Sequence, residues 1–273
     1  MPELPEVETI ARGLAKRVTG DVVESVWLGR KKEPLKSPAS KIAQVLEQSR
    51  IASVHRMGKH IVFDLDRQKF NRQNKESQWI VHLGMTGRLQ VCDPNTEIAN
   101  HTHAILKLAS GRELRFVDPR RFGRLSVATT GFNATGIEPL EIDLESFIGL
   151  FRGRRTPIKS ALLNQKLLRG VGNIYADESL FRAGIRPKRR AATIPREKLA
   201  RLHIAVKEVL KEAIALGGSS VSDYVNADGE AGFFQLEHRV YGREGEPCLI
   251  CRTPIKRVVI AGRSSHYCPN CQK

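Results

Sequence analysis

The chain has 273 residues, with 45 Lys and Arg against 29 Asp and Glu, a formal net charge of +16. That length fits one large domain or two of ordinary size, and a cationic excess of that size points to a polyanionic partner. No apolar run of about 18 residues exists and no basic segment followed by an apolar one opens the chain, which excludes a helical membrane protein and predicts a soluble, cytoplasmic one. The charge is concentrated. Residues 150–190 hold 11 Lys and Arg and two acids, and residues 248–273 hold five Lys and Arg and no acid. Nucleic acid is the expected partner.

The chain opens Met1-Pro2-Glu3-Leu4-Pro5-Glu6. Removal of Met1, favoured by the small second residue, would leave Pro2 as a secondary amine. An α-amino group titrates near ~7.7–8.0, so a useful fraction is neutral at cell pH. Such an amine can attack an aldehyde-level carbon and form an iminium ion. Glu3 and Glu6 stand close enough in sequence to move protons. Taken alone, the same segment also reads as a frayed, solvated terminus. Val7, Ile10, Ala11, Leu14 and Val18 recur at helical spacing, and Pro5 suits a first helical turn. Pro2 is therefore expected just before a helix N-terminus.

From about Ile51 to Val127 the pattern is that of strands. The runs 61–65, 79–83, 104–108 and 113–117 are short, apolar or alternating, and separated by turn residues, as in an antiparallel sandwich. Arg67 to Gln78 is a polar insert, expected as a mobile loop. After Gly136 the signals turn helical. Asp143 is expected to cap a helix through Phe151. Thr156-Pro157 opens a second helix, with the proline as its first residue. Asn173 caps a third through Arg182. A fourth runs from about Pro195 to Leu216 and stops at Gly217-Gly218.

Two segments have two readings each. Gly170-Val171-Gly172 before a helix lets backbone N–H groups approach a phosphate, but glycines also make ordinary turns. Asp118-Pro119-Arg120-Arg121-Phe122-Gly123 suits phosphates and an unstacked base. It equally fits a turn with a solvated arginine pair and a core phenylalanine.

Four of the five cysteines stand as Cys248-x-x-Cys251 and Cys268-x-x-Cys271. This spacing predicts one structural zinc ion held by four thiolates. The residues between the pairs read as a β-hairpin with Gly262-Arg263-Ser264 at its tip. So short a segment has little core, so the metal must supply its folding energy. Cys92 is read as a small buried or edge residue.

These motifs, with Gly58-Lys59, His82-Leu83-Gly84-Met85-Thr86-Gly87 and Gly172-Asn173-Ile174-Tyr175-Ala176-Asp177-Glu178, resemble the bacterial formamidopyrimidine-DNA glycosylases, also called 8-oxoguanine DNA glycosylases. The resemblance runs in order from the second residue to the last. It implies an α+β protein of two domains: an N-terminal antiparallel β-sandwich with flanking helices (2–134), then a helix–two-turn–helix DNA-binding domain with a lesion-capping loop (135–235). A zinc-finger hairpin (236–273) completes the chain, and DNA would lie in the cleft between the halves. A monomer acting on double-stranded DNA with oxidised bases or abasic sites is expected.

The resemblance also implies roles. Pro2 is the nucleophile on the lesion's deoxyribose and Glu3 the general acid, with Glu6 supporting the turn. Lys59 sits by the phosphate and the departing base. Met85, Arg120 and Phe122 fill the gap left by a flipped-out base, as chemistry on a base requires it out of the stack. His82, Arg121, Asn173 and Tyr175 meet DNA. Arg263 holds the phosphates flanking the lesion and is counted with the catalytic group. Ser219 and Tyr224 belong to the lesion-capping loop. The chain departs from the family pattern at the 67–78 insert and at Leu168-Arg169.

Two rivals remain. An endonuclease VIII-like glycosylase for oxidised pyrimidines would share the proline and the hairpin, but that branch more usually begins Pro-Glu-Gly-Pro-Glu. A non-catalytic zinc-ribbon DNA-binding protein would leave Pro2, Glu3 and Lys59 without a purpose.

Overall fold

The computed structural model describes residues 1–31, 33–66, 77–220 and 231–273. The chain divides into two units, Met1–Asn133 with Gly217–Gly232, and Ala134–Leu216 with Phe233–Lys273. The expected 135–235 segment thus yields its Gly217–Gly232 portion to the first unit. Within that unit the Ser219 N–H donates to Glu6 at 2.8 Å.

In the first unit, helix α1 (Leu4–Val18) buries Val7, Ile10, Ala11, Leu14 and Val18 along one face, as the spacing predicts. Two four-stranded sheets accompany it. Strands β1 (Val23–Leu28), β6 (Thr102–Leu108), β7 (Glu113–Val117) and β5 (Arg88–Cys92) form one sheet in the order β1-β6-β7-β5. Strands β2 (Arg50–Met57), β3 (His60–Asp66), β4 (Ser77–His82) and β8 (Arg124–Ala128) form the other in the order β2-β3-β4-β8. All these pairings are antiparallel. Leu106, Leu114 and Phe116 of the first sheet and Ile61, Phe63 and Val81 of the second share one core with α1 and with helix α2 (Ala39–Leu46). Each such side chain, fully buried, contributes about 1.5–3 kcal/mol.

The four runs chosen from sequence lie within or against β3, β4, β6 and β7. Strands β1, β2, β5 and β8 and helix α2 were not predicted individually. Half of β1 is exposed and β2 buries only Ile51 and Val54, so their patterns carry little hydrophobic signal. The polar insert ends earlier than expected, because Ser77 and Gln78 already belong to β4. Its residues 67–76 lie outside the described residues. Cys92 ends β5, an edge strand, and is half-buried.

The second unit holds helices α3 (Leu144–Gly149), α4 (Ile158–Leu163), α5 (Asn173–Arg182) and α6 (Arg196–Ala215). Asp143 caps α3, its carboxylate accepting the Ser146 N–H at 2.9 Å, but the helix stops short of Phe151. Pro157 is the N-cap of α4 rather than its first residue. Gly172 is the N-cap of α5 and Asn173 its first residue, so Asn173 does not occupy the capping position. Helix α6 buries Leu199, Leu202, Val206, Val209, Leu210 and Ala213, as expected. The chain ends in a hairpin of β9 (Lys256–Ile260) and β10 (Arg263–Tyr267). Its two-residue loop is Ala261-Gly262, both at positive φ, the requirement of a type I′ turn. Arg263 is therefore the first rung of β10, paired with Ile260, rather than the tip itself.

Candidate active site and zinc centre

The N-terminal turn is closed by its own side chains. The Glu3 N–H donates to Glu6 Oε2 at 2.7 Å and completes a capping box. Glu3 and Glu6 are both buried. Pro2 is half-buried immediately before this cap, and with Met1 in place its nitrogen is an amide. The frayed-terminus reading does not describe this turn.

Lys59 occupies the two-residue turn, Gly58-Lys59, that joins β2 to β3. Its side chain is buried although cationic. Nearby, His82 ends β4. Burial, then the charges of His60, Arg124 and Lys59, hold its pKa down to about 4. Its Nδ1 accepts the Gly84 N–H at 3.1 Å, so the neutral ring carries its proton on Nε2.

Gly84 begins the next turn at φ +63°, and a Cβ there would lie 2.5 Å from the Gly123 nitrogen. Loops 84–87 and 118–123 thus meet backbone to backbone. Buried Asp118 ties them: Oδ1 accepts from the Thr86 hydroxyl at 2.6 Å and Oδ2 from the Gly123 N–H at 2.7 Å. The result is two large apolar side chains left in the open, Met85 at 42% and Phe122 at 53% exposure. The Arg120 guanidinium lies 4.8 Å from the centre of the Phe122 ring. Phe122 is therefore not a core residue, while Arg120 and Arg121 are both exposed. Arg121 is exposed, in left-handed backbone at φ +56°. Asp118 and Gly84 were not singled out from sequence as the supports of these loops; the Gly-x-x-Gly and Asp-Pro patterns were the available signals.

In the second unit, Asn173 stands half-buried at the start of α5. Tyr175, expected to meet DNA, is fully buried, its ring 5.5 Å from that of Phe234. This is a correction: a ring in the first turn of α5 that faces the core supports the loop from within. Asp177 and Lys159, both fully buried, pair at 2.6 Å. Lys159 also donates to the Ser264 carbonyl at 2.8 Å, and Asp177 accepts the His266 N–H at 2.8 Å. These bonds hold β10, and with it exposed Arg263, against α4 and α5. Glu178, equally buried, accepts the backbone N–H groups of Arg239, Val240 and Tyr241. Neither acid was assigned this role from sequence, since the partners lie far along the chain. Ser219 lies beside Glu6, as above, and Tyr224 lies outside the described residues.

The four sulfurs of Cys248, Cys251, Cys268 and Cys271 lie within 4.8 Å of one another. Cys248 and Cys271 are 3.9 Å apart, and Cys251 and Cys268 are 3.5 Å apart. A tetrahedral zinc ion with Zn–S bonds of about 2.3 Å sets its sulfurs about 3.8 Å apart. The donor set and spacing fit zinc. Among the described residues, the apolar cluster beneath them holds Phe181, Val240 and Ile255 besides cysteine, a small core for the segment that carries the four thiolates.

Three family models match the chain in order: the formamidopyrimidine-DNA glycosylase N-terminal domain over residues 1–125, the H2TH domain of the same enzymes over 135–225, and the zinc finger found in FPG and IleRS over 245–273. The formamidopyrimidine-DNA glycosylase of Solibacter usitatus is 45% identical over 280 residues, with both chains fully covered. The chain belongs to the formamidopyrimidine-DNA glycosylase family. Among solved structures, the MutM (Fpg) protein of Thermus thermophilus is 41% identical with a TM-score of 0.86, covering 99% of this chain and 98% of that one. A Lactococcus lactis FPG mutant in complex with Fapy-dG-containing DNA is 31% identical with a TM-score of 0.90 over the whole of both chains. These formamidopyrimidine-DNA glycosylase relatives are bacterial. No helix among the described residues is long and apolar enough to cross a membrane.

Proposed function

We infer that this protein is a bifunctional DNA glycosylase and AP lyase of base excision repair. It removes oxidised purines, 8-oxoguanine and formamidopyrimidines, from duplex DNA, and it cleaves the strand at the resulting site. The observation that carries the reading is the N-terminal turn: a proline held next to two buried, hydrogen-bonded glutamates in a chain of this family. The reading places the work in the cytoplasm, at the nucleoid.

Once Met1 is removed, the Pro2 nitrogen attacks the anomeric carbon of the damaged nucleotide, and the base departs with the glycosidic electron pair. Glu3 delivers a proton to the sugar ring oxygen as the ring opens. The product is an iminium ion, which acidifies the neighbouring sugar protons. Loss of one such proton expels the 3′ phosphate by β-elimination, and a second loss expels the 5′ phosphate by δ-elimination. Water then returns Pro2 to the free amine. An activated water in place of the amine would stop at base removal.

The other assignments follow the same frame. Lys59 sits by the phosphate and the departing base. Met85, Arg120 and Phe122 occupy the stack once the base is out, a role that suits exposed apolar groups beside a guanidinium. His82, Arg121, Asn173 and Arg263 meet the phosphate backbone, where binding is driven by counterion release. Arg263 flanks the reacting centre. Ser219 and Tyr224 cap the lesion. Segment 2–134 does chemistry, 135–235 grips DNA, and 236–273 is the finger held by one zinc ion on the four cysteines.

Borohydride trapping on abasic-site DNA tests the lyase assignment. A processed protein is expected to cross-link, and one that retains Met1 or carries an N-terminal tag is expected to bind DNA without cross-linking. Trapping by the blocked protein would remove Pro2 from the mechanism. A second substrate class merits the same assay. The Lactococcus lactis FPG has been seen on DNA containing an oxidised pyrimidine. Competing 8-oxoguanine and thymine glycol duplexes are expected to favour the purine lesion here; preference for thymine glycol would assign the endonuclease VIII-like reading.

A further inference from the structure

The proposed chemistry needs the α1 turn and the Lys59 hairpin in fixed register, although they belong to different elements of the fold. One side chain bridges them. Arg56, near the end of β2, donates through Nε to Glu8 Oε2 at 2.7 Å and through a terminal nitrogen to the Gly58 carbonyl at 3.2 Å. Glu8 lies in the second turn of α1, five residues past Glu3. Gly58 precedes Lys59, so the bonded carbonyl is part of the peptide that aims Lys59. The Arg56 side chain is only 7% exposed, whereas Arg12, the other partner of Glu8, is 64% exposed. The exposed pair is screened by solvent and contributes little; the buried fork carries the geometry. Burial pushes the Glu8 carboxyl up, but the bond and charge of Arg56, then those of Arg12, outweigh it and leave Glu8 below its ordinary range. Glu8 thus stays ionised and remains an acceptor for the fork.

We propose that Arg56 is a positioning residue for the reaction, setting Lys59 against the Pro2–Glu3 turn through its forked bonds to Glu8 and the Gly58 carbonyl. The proposal rests on the reading of Pro2 as nucleophile and Lys59 as its neighbour. Planar geometry is essential to it. Lysine keeps the charge but is a point donor and cannot reproduce a fork. A displacement of about 1 Å in a reacting constellation can cost on the order of 100-fold in rate.

The test compares wild type, Arg56→Lys, Glu8→Gln and the double variant as processed, zinc-loaded proteins. Single-turnover excision from an 8-oxoguanine duplex at saturating enzyme is expected to fall about tenfold or more in Arg56→Lys. Affinity for a duplex with a tetrahydrofuran abasic analogue is expected to stay within about twofold, since Arg56 contacts no DNA in this scheme. The acid limb of the pH–rate profile is expected to move to higher pH. A cation displaced from the Pro2 amine no longer disfavours its protonated form. The double variant is expected to be no slower than the slower single variant, because the two residues act as one unit. Wild-type rate and profile in Arg56→Lys, rate losses that simply add, or a loss matched by equal losses of affinity and melting temperature would each overturn the proposal. If Arg56→Lys does not fold, the rate and profile of Glu8→Gln decide alone. If wild type itself fails to trap with borohydride, the functional reading falls and this inference with it; if wild type traps and Arg56→Lys keeps the wild-type rate and profile, this inference alone falls.

Discussion

The carboxylate of Glu6 joins the backbone of Ser219 to that of Glu3. Its Oε1 accepts the Ser219 N–H at 2.8 Å and its Oε2 the Glu3 N–H at 2.7 Å, bonds that span 213 and three positions of sequence. The residue before Ser219 fits the same arrangement. Gly218 adopts φ +85°, and a Cβ there would lie 2.9 Å from Glu6 Oε1. The start of the 217–232 segment and the N-terminal turn of α1 are thus bonded through one carboxylate.

Glu6→Gln turns one of those two acceptors into a donor and leaves a buried N–H facing it. An unsatisfied buried donor costs about 1–3 kcal/mol, so the melting temperature should fall and excision with it. Gly218→Ala should act in the same direction through strain and close contact with Glu6. Thermal unfolding together with single-turnover excision checks both. An unchanged melting temperature and rate in Glu6→Gln would separate Glu6 from the turn.

Glu3→Gln keeps the shape of the cap but removes the proton carrier. General acid–base groups contribute about 10²–10⁴-fold, and excision of an intact 8-oxoguanine should drop by that order. Cleavage at a preformed abasic site should suffer less, because the sugar there already opens unaided. Rates on the two substrates, measured side by side, decide it; a near wild-type excision rate excludes Glu3 as the acid.

Zinc and Arg263 should separate cleanly. Cys268→Ser should release the metal and weaken DNA binding, because the cluster beneath the sulfurs is too small to hold the hairpin. Arg263→Ala should keep zinc content and melting temperature, since the side chain is exposed at the first rung of β10. It should lower affinity and reduce the salt slope by about one unit, as expected for one lost phosphate contact. Metal analysis and a salt titration read the outcome, and a wild-type slope in Arg263→Ala would remove that contact.

His82 and His238 should shape the acid side of stability. Burial first, then neighbouring cations, hold His82 near pKa 4; burial, with His266 nearby, does the same for His238. A depressed folded pKa means that the unfolded chain binds more protons between about pH 6.5 and 4. Their contribution is fully present above about 6.5 and is lost as pH falls through that window. Each histidine steepens the loss by up to about 1.4 kcal/mol per pH unit. Urea midpoints across this range should fall less steeply in His82→Gln and His238→Gln than in wild type; parallel curves would refute the assignment.

Much of this protein is written in short stretches of its sequence. The apolar spacing of Val7, Ile10, Leu14 and Val18 specifies α1, because a helix face is a local period. The two Cys-x-x-Cys pairs specify the metal ligands for the same reason: each pair is set by one tight turn. The strands at 61–65 and 113–117 and the long α6 were legible because their core faces are continuous. What sequence did not decide was which distant groups meet. Phe122 could have been core or surface until Gly84 and Gly123 brought two loops together and left it outside. Tyr175 is expected to meet DNA from the first turn of the third helix, yet α5 turns it into the core against Phe234. Glu6 with Ser219, Glu8 with Arg56, and Asp177 with Lys159 and His266 are pairings across sheets, helices and long loops. A charged residue carries no local mark of its partner, since the bond is selected by burial, and burial is settled only when the whole core has closed.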